Sequence, residues 1–343
     1  MGSAGWHSAA EPIVQGNRLE TRPRPCRVLA AGERSAPRRK KDHLMSLTEE
    51  QSIIAELSPP FEVREPSGAP TPFVFCSPHS GRIYPRRFLE SSRLDPLALR
   101  RSEDCFVDEL FAGPASHGAT FIAARFPRAY LDANREPFEL DPELFVEVLP
   151  DWANARSIRV AGGLGTIARI VADGEEIYGA PLALSDALKR IELLHRPFHE
   201  SLKSLLERAR RRFGYAVLID CHSMPSAHVA RAPTSRPDFV IGDRFGTSCD
   251  LKLTRLLRTA ITSFGYDVQL NRPYAGGFIT EHYGRPLRGV HAVQLEINRG
   301  LYMNEQTLTK SSGFDSLERN LVGLAQRIFY EVPQLMEQRS AAE

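Results

Sequence analysis

The sequence predicts a single α/β domain on a mixed, mostly parallel β-sheet with helices on both faces, preceded by a disordered N-terminal tail. Three observations carry that expectation. From about residue 70, short apolar, β-favouring runs alternate with helical stretches, and strands separated by helices favour a parallel sheet covered on both sides. Over 343 residues, 42% are hydrophobic and 25% charged, the composition of a globular chain able to bury a sizeable core. The first 45 residues break the pattern: nine Lys or Arg, four acids and many Pro and Gly, with no helical or strand periodicity. Such a segment cannot offset its ordering entropy by burial.

The elements follow in order. Residues 1–45 form the tail and 46–343 the domain, with Met45 as an expected start. Ser46 and Glu49 are spaced as a capping box that opens a helix. Strands are expected at 73–76, 120–123, 216–219, 239–241, 266–270 and 292–296. Helices are expected at 97–111, at 184–213 with a bend at Pro197, at 248–264 and at 316–332.

Several function classes are disfavoured. No run approaches the roughly 18 apolar residues of a membrane span, and the first thirty residues lack a secretory apolar stretch. A soluble, cytoplasmic protein is expected. The total charge of +2 hides a tail at +5 and a remainder at −3, so the folded body offers no clustered positive charge for nucleic acid. Five cysteines without Cys-x-x-Cys spacing suit neither a disulfide framework nor a thiolate zinc module. A small-molecule substrate is the expected partner.

Ligands of such sheets bind beyond the carboxyl ends of the strands. There the sequence places Ser77-Pro-His79-Ser-Gly81, Asp220-Cys-His222-Ser223 and Glu296-Ile-Asn298-Arg299, with Asp132-Ala-Asn134-Arg135 shortly after another strand. Two His and a carboxylate form a common catalytic zinc site, which keeps a position for water and lowers its pKa to about 7. His79 and His222 are the candidate imidazoles. Asp104 is the preferred third ligand, with Glu103 as the alternative. Glu296, at the boundary of core and cleft, is a candidate general base, because partial desolvation raises a carboxyl pKa toward neutrality. The competing reading of Glu296 is an ion pair with Arg299. Arg135 beside Asn134 offers a planar fork to a carboxylate or oxyanion, with Arg128 assisting. Cys221 should face away from His222 into the core, since adjacent strand residues point to opposite faces.

Other motifs are weaker. His195 and His199 stand at i, i+4 but lack the Glu of His-Glu-x-x-His, and Pro197 lies between them. Gly163-Leu-Gly165-Thr-Ile-Ala168 mimics a dinucleotide fingerprint without the later ribose-binding acid, and reads as a flexible active-site loop. Gly-x-Ser-x-Gly and a Walker loop are absent.

Taken together, Ser77-Pro-His-Ser-Gly81 with Tyr84-Pro85, Glu103-Asp104-x-x-Val107-Asp108, Asp132-x-Asn-Arg-x-Pro137, Asp220-x-His-Ser223 and Gln294-x-Glu-Ile-Asn-Arg299 with Leu301-Tyr-Met303 resemble the N-formylglutamate amidohydrolase (deformylase) family. The match covers about residues 70–330. That family is similar to the zinc carboxypeptidases and aspartoacylases. The resemblance implies one zinc ion at His79 and His222 with Asp104 as the shared acid, a base at Glu296, and an Asn134–Arg135 pair gripping an α-carboxylate. It also implies hydrolysis of a small N-acyl amino acid, N-formyl-L-glutamate to L-glutamate and formate, as in histidine breakdown. Arg128 would steady the oxyanion, and Arg135, Arg231 and Tyr274 would select an acidic substrate. Position 82 is Arg where carboxypeptidases carry the Glu of His-x-x-Glu, so the carboxylate ligand comes from elsewhere. The alternatives are a zinc peptidase or amidase on another N-acyl or peptide substrate, and a metal-binding module without catalysis.

Overall fold

Among the described residues, seven strands form one sheet: β1 (Phe61–Arg64), β2 (Phe73–Ser77), β3 (Thr120–Ala124), β4 (Ala216–Met224), β5 (Phe239–Gly242), β6 (Val268–Leu270) and β7 (Val290–Asn298), in the order β1-β3-β2-β4-β7-β5-β6. The computed structural model describes residues 47–171, 174–226 and 237–340. The expected tail and Ser46 lie outside them. β3, β2, β4 and β7 run parallel, β1 pairs antiparallel with β3 at one edge, and β5 pairs antiparallel with β7 and parallel with β6. The sheet is mixed and mostly parallel, as expected. β1 was not foreseen. It is short and carries Glu62 and Arg64, as suits an edge strand that must not pair with another chain.

Alternation along the central strands divides the core in two. Val74 and Cys76 of β2 join Ala216 and Leu218 of β4 on the face covered by Leu184–Arg190 and Arg196–Phe213. Phe73, Phe75, Val217, Ile219 and Cys221 face the layer of Val107–Ser116, Leu251–Thr262 and Phe314–Ser340. Cys221 is thus in the core, as the two-residue period requires. Cys76, Cys105, Cys221 and Cys249 are free and buried. No helix among the described residues is long and apolar enough to cross a membrane.

Several helix boundaries differ from expectation. The first helix is Glu49–Glu56, and its capping box pairs Thr48 with Gln51, two residues beyond the Ser46–Glu49 spacing. The span 184–213 is continuous, with a π-helical turn, Ile191–His195, just before Pro197. Proline has no N–H to give the preceding turn, and a π turn accommodates the lost bond. The span ends where Gly214 takes the left-handed conformation, φ 82°. The largest departure concerns 97–111. It is two helices, Pro96–Arg100 and Val107–Ser116, separated by a turn that ends at Phe106 with φ 64°. Glu103 and Asp104 lie in that interruption and not on a helix.

Candidate active site

The register of the sheet builds the centre of the site. β4 and β7 pair His222 with Glu296 and Asp220 with Gln294, so these four side chains share one face while Cys221 and Leu295 take the other. His79 follows the end of β2, and its carbonyl accepts a 3.0 Å hydrogen bond from the Asp104 amide, which ties the helix interruption to the sheet. The turn beyond His79 needs glycine: a Cβ on Gly81 would lie 2.0 Å from the Phe126 carbonyl oxygen.

His79, Asp104 and His222 meet. Each offers a ligand atom within 4.8 Å of the other two, and all three are buried. His222 Nδ1 lies 2.9 Å, and His79 Nδ1 3.4 Å, from Asp104 Oδ2. The opposite ring nitrogens face carboxylates, His79 Nε2 at 2.6 Å from Asp132 Oδ1 and His222 Nε2 at 2.9 Å from Asp220 Oδ1. Outer carboxylates of this kind orient metal-binding imidazoles and fix their tautomers. His79 Nδ1 is buried without a hydrogen-bond partner. A ring nitrogen without a hydrogen bond, aimed at a second imidazole and a carboxylate, fits a divalent cation. Glu103 turns away, to Tyr84 Oη at 2.7 Å, Arg100 and Cys105.

The charges around this centre are strongly shifted. Burial alone would raise the Asp104 carboxyl, but the hydrogen bond from His222 and the neighbouring imidazoles of His222 and His79 hold it well below its usual range. Asp132 is likewise held down against its burial by Arg135, His79 and Arg128. Burial would lower the His222 imidazole, yet Asp220 and Asp104 push it well above its usual value. Glu296 differs: burial dominates and raises its carboxyl to about 7, with His222 opposing. The competing reading, a Glu296–Arg299 ion pair, is not seen: Arg299 Nη2 lies 3.1 Å from Asp104 Oδ1 instead. Gln294 Nε2 instead donates to Glu296 Oε1 at 2.7 Å, and Gln294 Oε1 is itself fixed by the Gly277 amide at 2.7 Å.

The expected substrate-binding residues divide into groups. Arg128 Nη2 donates to Asp132 Oδ2 at 2.8 Å and faces the cleft. Arg135 bonds the carbonyls of Leu164 and Asn134 at 2.9 Å each, and burial pulls its guanidinium below the usual value. Tyr274 lines the cleft, and burial, then the Glu296 charge, push its hydroxyl to about 12. Asn134 is committed to the scaffold. Its amide nitrogen donates to Asp220 Oδ2 at 3.2 Å and its oxygen accepts from the Ile279 amide at 2.7 Å. With both ends occupied it holds β4 to the N-terminus of the helix Phe278–Tyr283, and the expected grip of Asn134 on a carboxylate is replaced by this role. Arg231 lies outside the described residues.

A cleft of about 610 Å³ opens over these groups. Leu164, Gly165 and Ala168 of the glycine-containing segment form part of its wall. His195 and His199 are not at the cation site. His195 is buried and His199 partly buried; they bond the carbonyls of Arg135 and Ala133, and desolvation lowers them to about 4 and about 3, so they support the 133–135 segment as neutral rings. The sequence reading missed Asp132 and Asp220 as partners of the imidazoles, and Gln294. Two carried a signal in the i, i+2 spacing of Asp220-x-His222 and Gln294-x-Glu296, which puts each pair on one strand face.

A family model described as N-formylglutamate amidohydrolase matches residues 71–303. The chain is 32% identical over 241 residues to the N-formylglutamate deformylase of Pseudomonas putida, covering 68% of this chain and 82% of that protein. It is 31% identical over 240 residues to that of Pseudomonas aeruginosa, covering 68% and 83%. Among solved structures, the crystal structure of N-formylglutamate amidohydrolase from Ralstonia eutropha JMP134 is similar at 36% identity and TM-score 0.76, covering 80% of this chain and 99% of that one.

Proposed function

The chain belongs to the N-formylglutamate amidohydrolase family, hydrolases of a non-peptide carbon–nitrogen bond, and from that premise we propose that it cleaves N-formyl-L-glutamate to L-glutamate and formate using zinc held by His79, Asp104 and His222. The observation that carries this reading is the unpartnered His79 Nδ1 facing His222 and Asp104 beneath an arginine-rich cleft. An ion bound there supplies Lewis acidity, polarising a carbonyl and lowering the pKa of water.

The chain's own groups do the rest. Glu296, with Oε1 fixed by Gln294, has Oε2 available to take a proton from the attacking water and later return it to the departing nitrogen. Arg128 donates toward the carbonyl oxygen as negative charge develops there. Six arginines (Arg101, Arg128, Arg135, Arg159, Arg244, Arg299) and three acids (Asp104, Asp132, Glu296) line the cleft. That excess of positive charge suits a substrate with two carboxylates. Arg135, Tyr274 and Arg231 are the proposed selectivity residues.

The test joins metal analysis of the purified protein to formate release from N-formyl-L-glutamate. Stoichiometric zinc is expected, together with loss of both metal and turnover in His79→Ala. Metal-free protein with full turnover, unchanged in His79→Ala, would refute the reading.

A further inference from the structure

We infer that Arg299 is the positioning residue for Asp104: from the end of β7 it presents one oxygen of that carboxylate to the metal, and so sets this chain's metal affinity. The inference rests on the metal reading above.

Asp104 occupies the interruption between two helices, where no helical hydrogen bonds fix it. In an unbroken helix the carbonyls of Arg101 and Glu103 would accept from the amides four residues further on. Here both turn to Arg299, Arg101 O at 3.2 Å from Nη1 and Glu103 O at 2.7 Å from Nη2. The same Nη2 reaches Asp104 Oδ1 at 3.1 Å. Nε donates to Ser223 Oγ at 3.1 Å, and that hydroxyl in turn lies 3.3 Å from Asp104 Oδ1. One carboxylate oxygen is thus anchored by two donors, while Oδ2 faces the imidazoles.

The work requires a guanidinium. Arg299 is buried at 7% exposure and addresses four acceptors spread over the 101–104 turn and β4. A planar fork with five fixed N–H groups can span them, whereas an ammonium presents three donors from one atom. Arg299 also lies three residues beyond Glu296, so one strand end carries both the proposed base and the anchor of the acidic ligand. Asp104 is the single carboxylate recorded within ion-pair distance of Arg299 among the described residues.

The experiment measures zinc dissociation constants of the full-length apoprotein by competition with a chromophoric chelator, with circular dichroism to verify folding. Partners of first-ligand residues typically change metal affinity 10–100-fold. Arg299→Ala is expected to weaken zinc by about that factor, Arg299→Lys to remain weak, and added methylguanidine to restore affinity to Arg299→Ala. Wild-type affinity in a folded Arg299→Ala would overturn the inference. Should that variant not fold, Arg299→Lys decides, with wild-type affinity or failure to fold counting against a specific positioning role. Absence of zinc binding by the unaltered protein defeats the metal reading itself, a distinct outcome that removes the inference with it.

Discussion

Two buried ionic clusters sit in this fold, and they are built on opposite principles. In the first, Arg190 donates to Glu49 Oε1 at 2.5 Å and to Tyr178 Oη at 2.8 Å, and its guanidinium lies 4.0 Å from the Tyr130 ring centroid. Tyr130 also donates to Glu49 Oε1, and Arg87 donates to the other carboxylate oxygen at 3.0 Å. Each of these charged groups faces a partner. In the second, around His79 and His222, a buried ring nitrogen makes no hydrogen bond and a carboxyl rises to about 7. A closed network rigidifies, whereas a buried group left without a hydrogen bond at the floor of a cleft is open to a ligand.

The sharpest way to break the comparison is to delete a member of the open cluster. His79→Ala should lower formate release to background and abolish zinc uptake, while the melting temperature of the metal-free protein stays within a few degrees of the parent. Asp132, which loses a partner, still has Arg128. A large loss of apoprotein stability would show that the site is as structural as the first cluster. Next, Glu296→Gln keeps shape and burial but removes the proton acceptor, so kcat should fall by roughly 10²–10⁴ with zinc content and KM little changed. The pH dependence follows in sign. A base must be ionised, burial raises Glu296 to about 7, and a nearby cation favours the charged form. The acid limb of kcat/KM should therefore fall at or below 7, with activity lost as pH drops, and should vanish in Glu296→Gln.

What was legible in the sequence follows the range of the interactions involved. β2, β4 and β7 could be read because their apolar runs and following polar residues are local, and the converging of His79, His222 and Glu296 follows from sheet topology alone. The break in 97–111 could not. Leu97, Leu99, Phe106, Val107 and Leu110 continue a plausible apolar pattern across it. The hydrogen bond that captures the Glu103 carbonyl comes from Arg299, 196 positions later. Asn134 shows the same limit. Its place beside Arg135 suggests a substrate contact, but the amide that occupies its oxygen is 145 positions away. Spacing reports which groups share a face, not which are already engaged.

The closed cluster should respond in the opposite way. Arg190→Met leaves Glu49 buried with the Tyr130 hydroxyl and, as its only remaining cation, the half-exposed Arg87, and should cost about 3–5 kcal/mol, the range for an orphaned partner of a buried pair. It should leave kcat intact at temperatures where the variant is folded. The double variant Glu49→Gln with Arg190→Met removes both charges and should recover much of the loss, giving a large coupling energy in a denaturant cycle. Near-additive losses would mean that the pair acts through packing on Phe88 and Tyr130 and not through charge.

The smallest effect separates the clusters by pH. For Glu49 burial would raise the carboxyl, but Arg190, Tyr130 and Arg87 bring it below its ordinary value. A depressed folded-state pKa gives stability that is fully present above the unfolded carboxyl pKa and is lost as pH falls through the folded one. Glu296 has the opposite sign, since its raised pKa makes the ionised form a cost to folding that disappears below the unfolded value. In denaturant titrations of the metal-free protein, Glu49→Gln should therefore flatten the acid loss of stability. Glu296→Gln should stabilise the protein near neutrality and leave that acid loss in place. If both substitutions shifted the pH profile in the same direction, the division between a satisfied cluster and a strained one would fail.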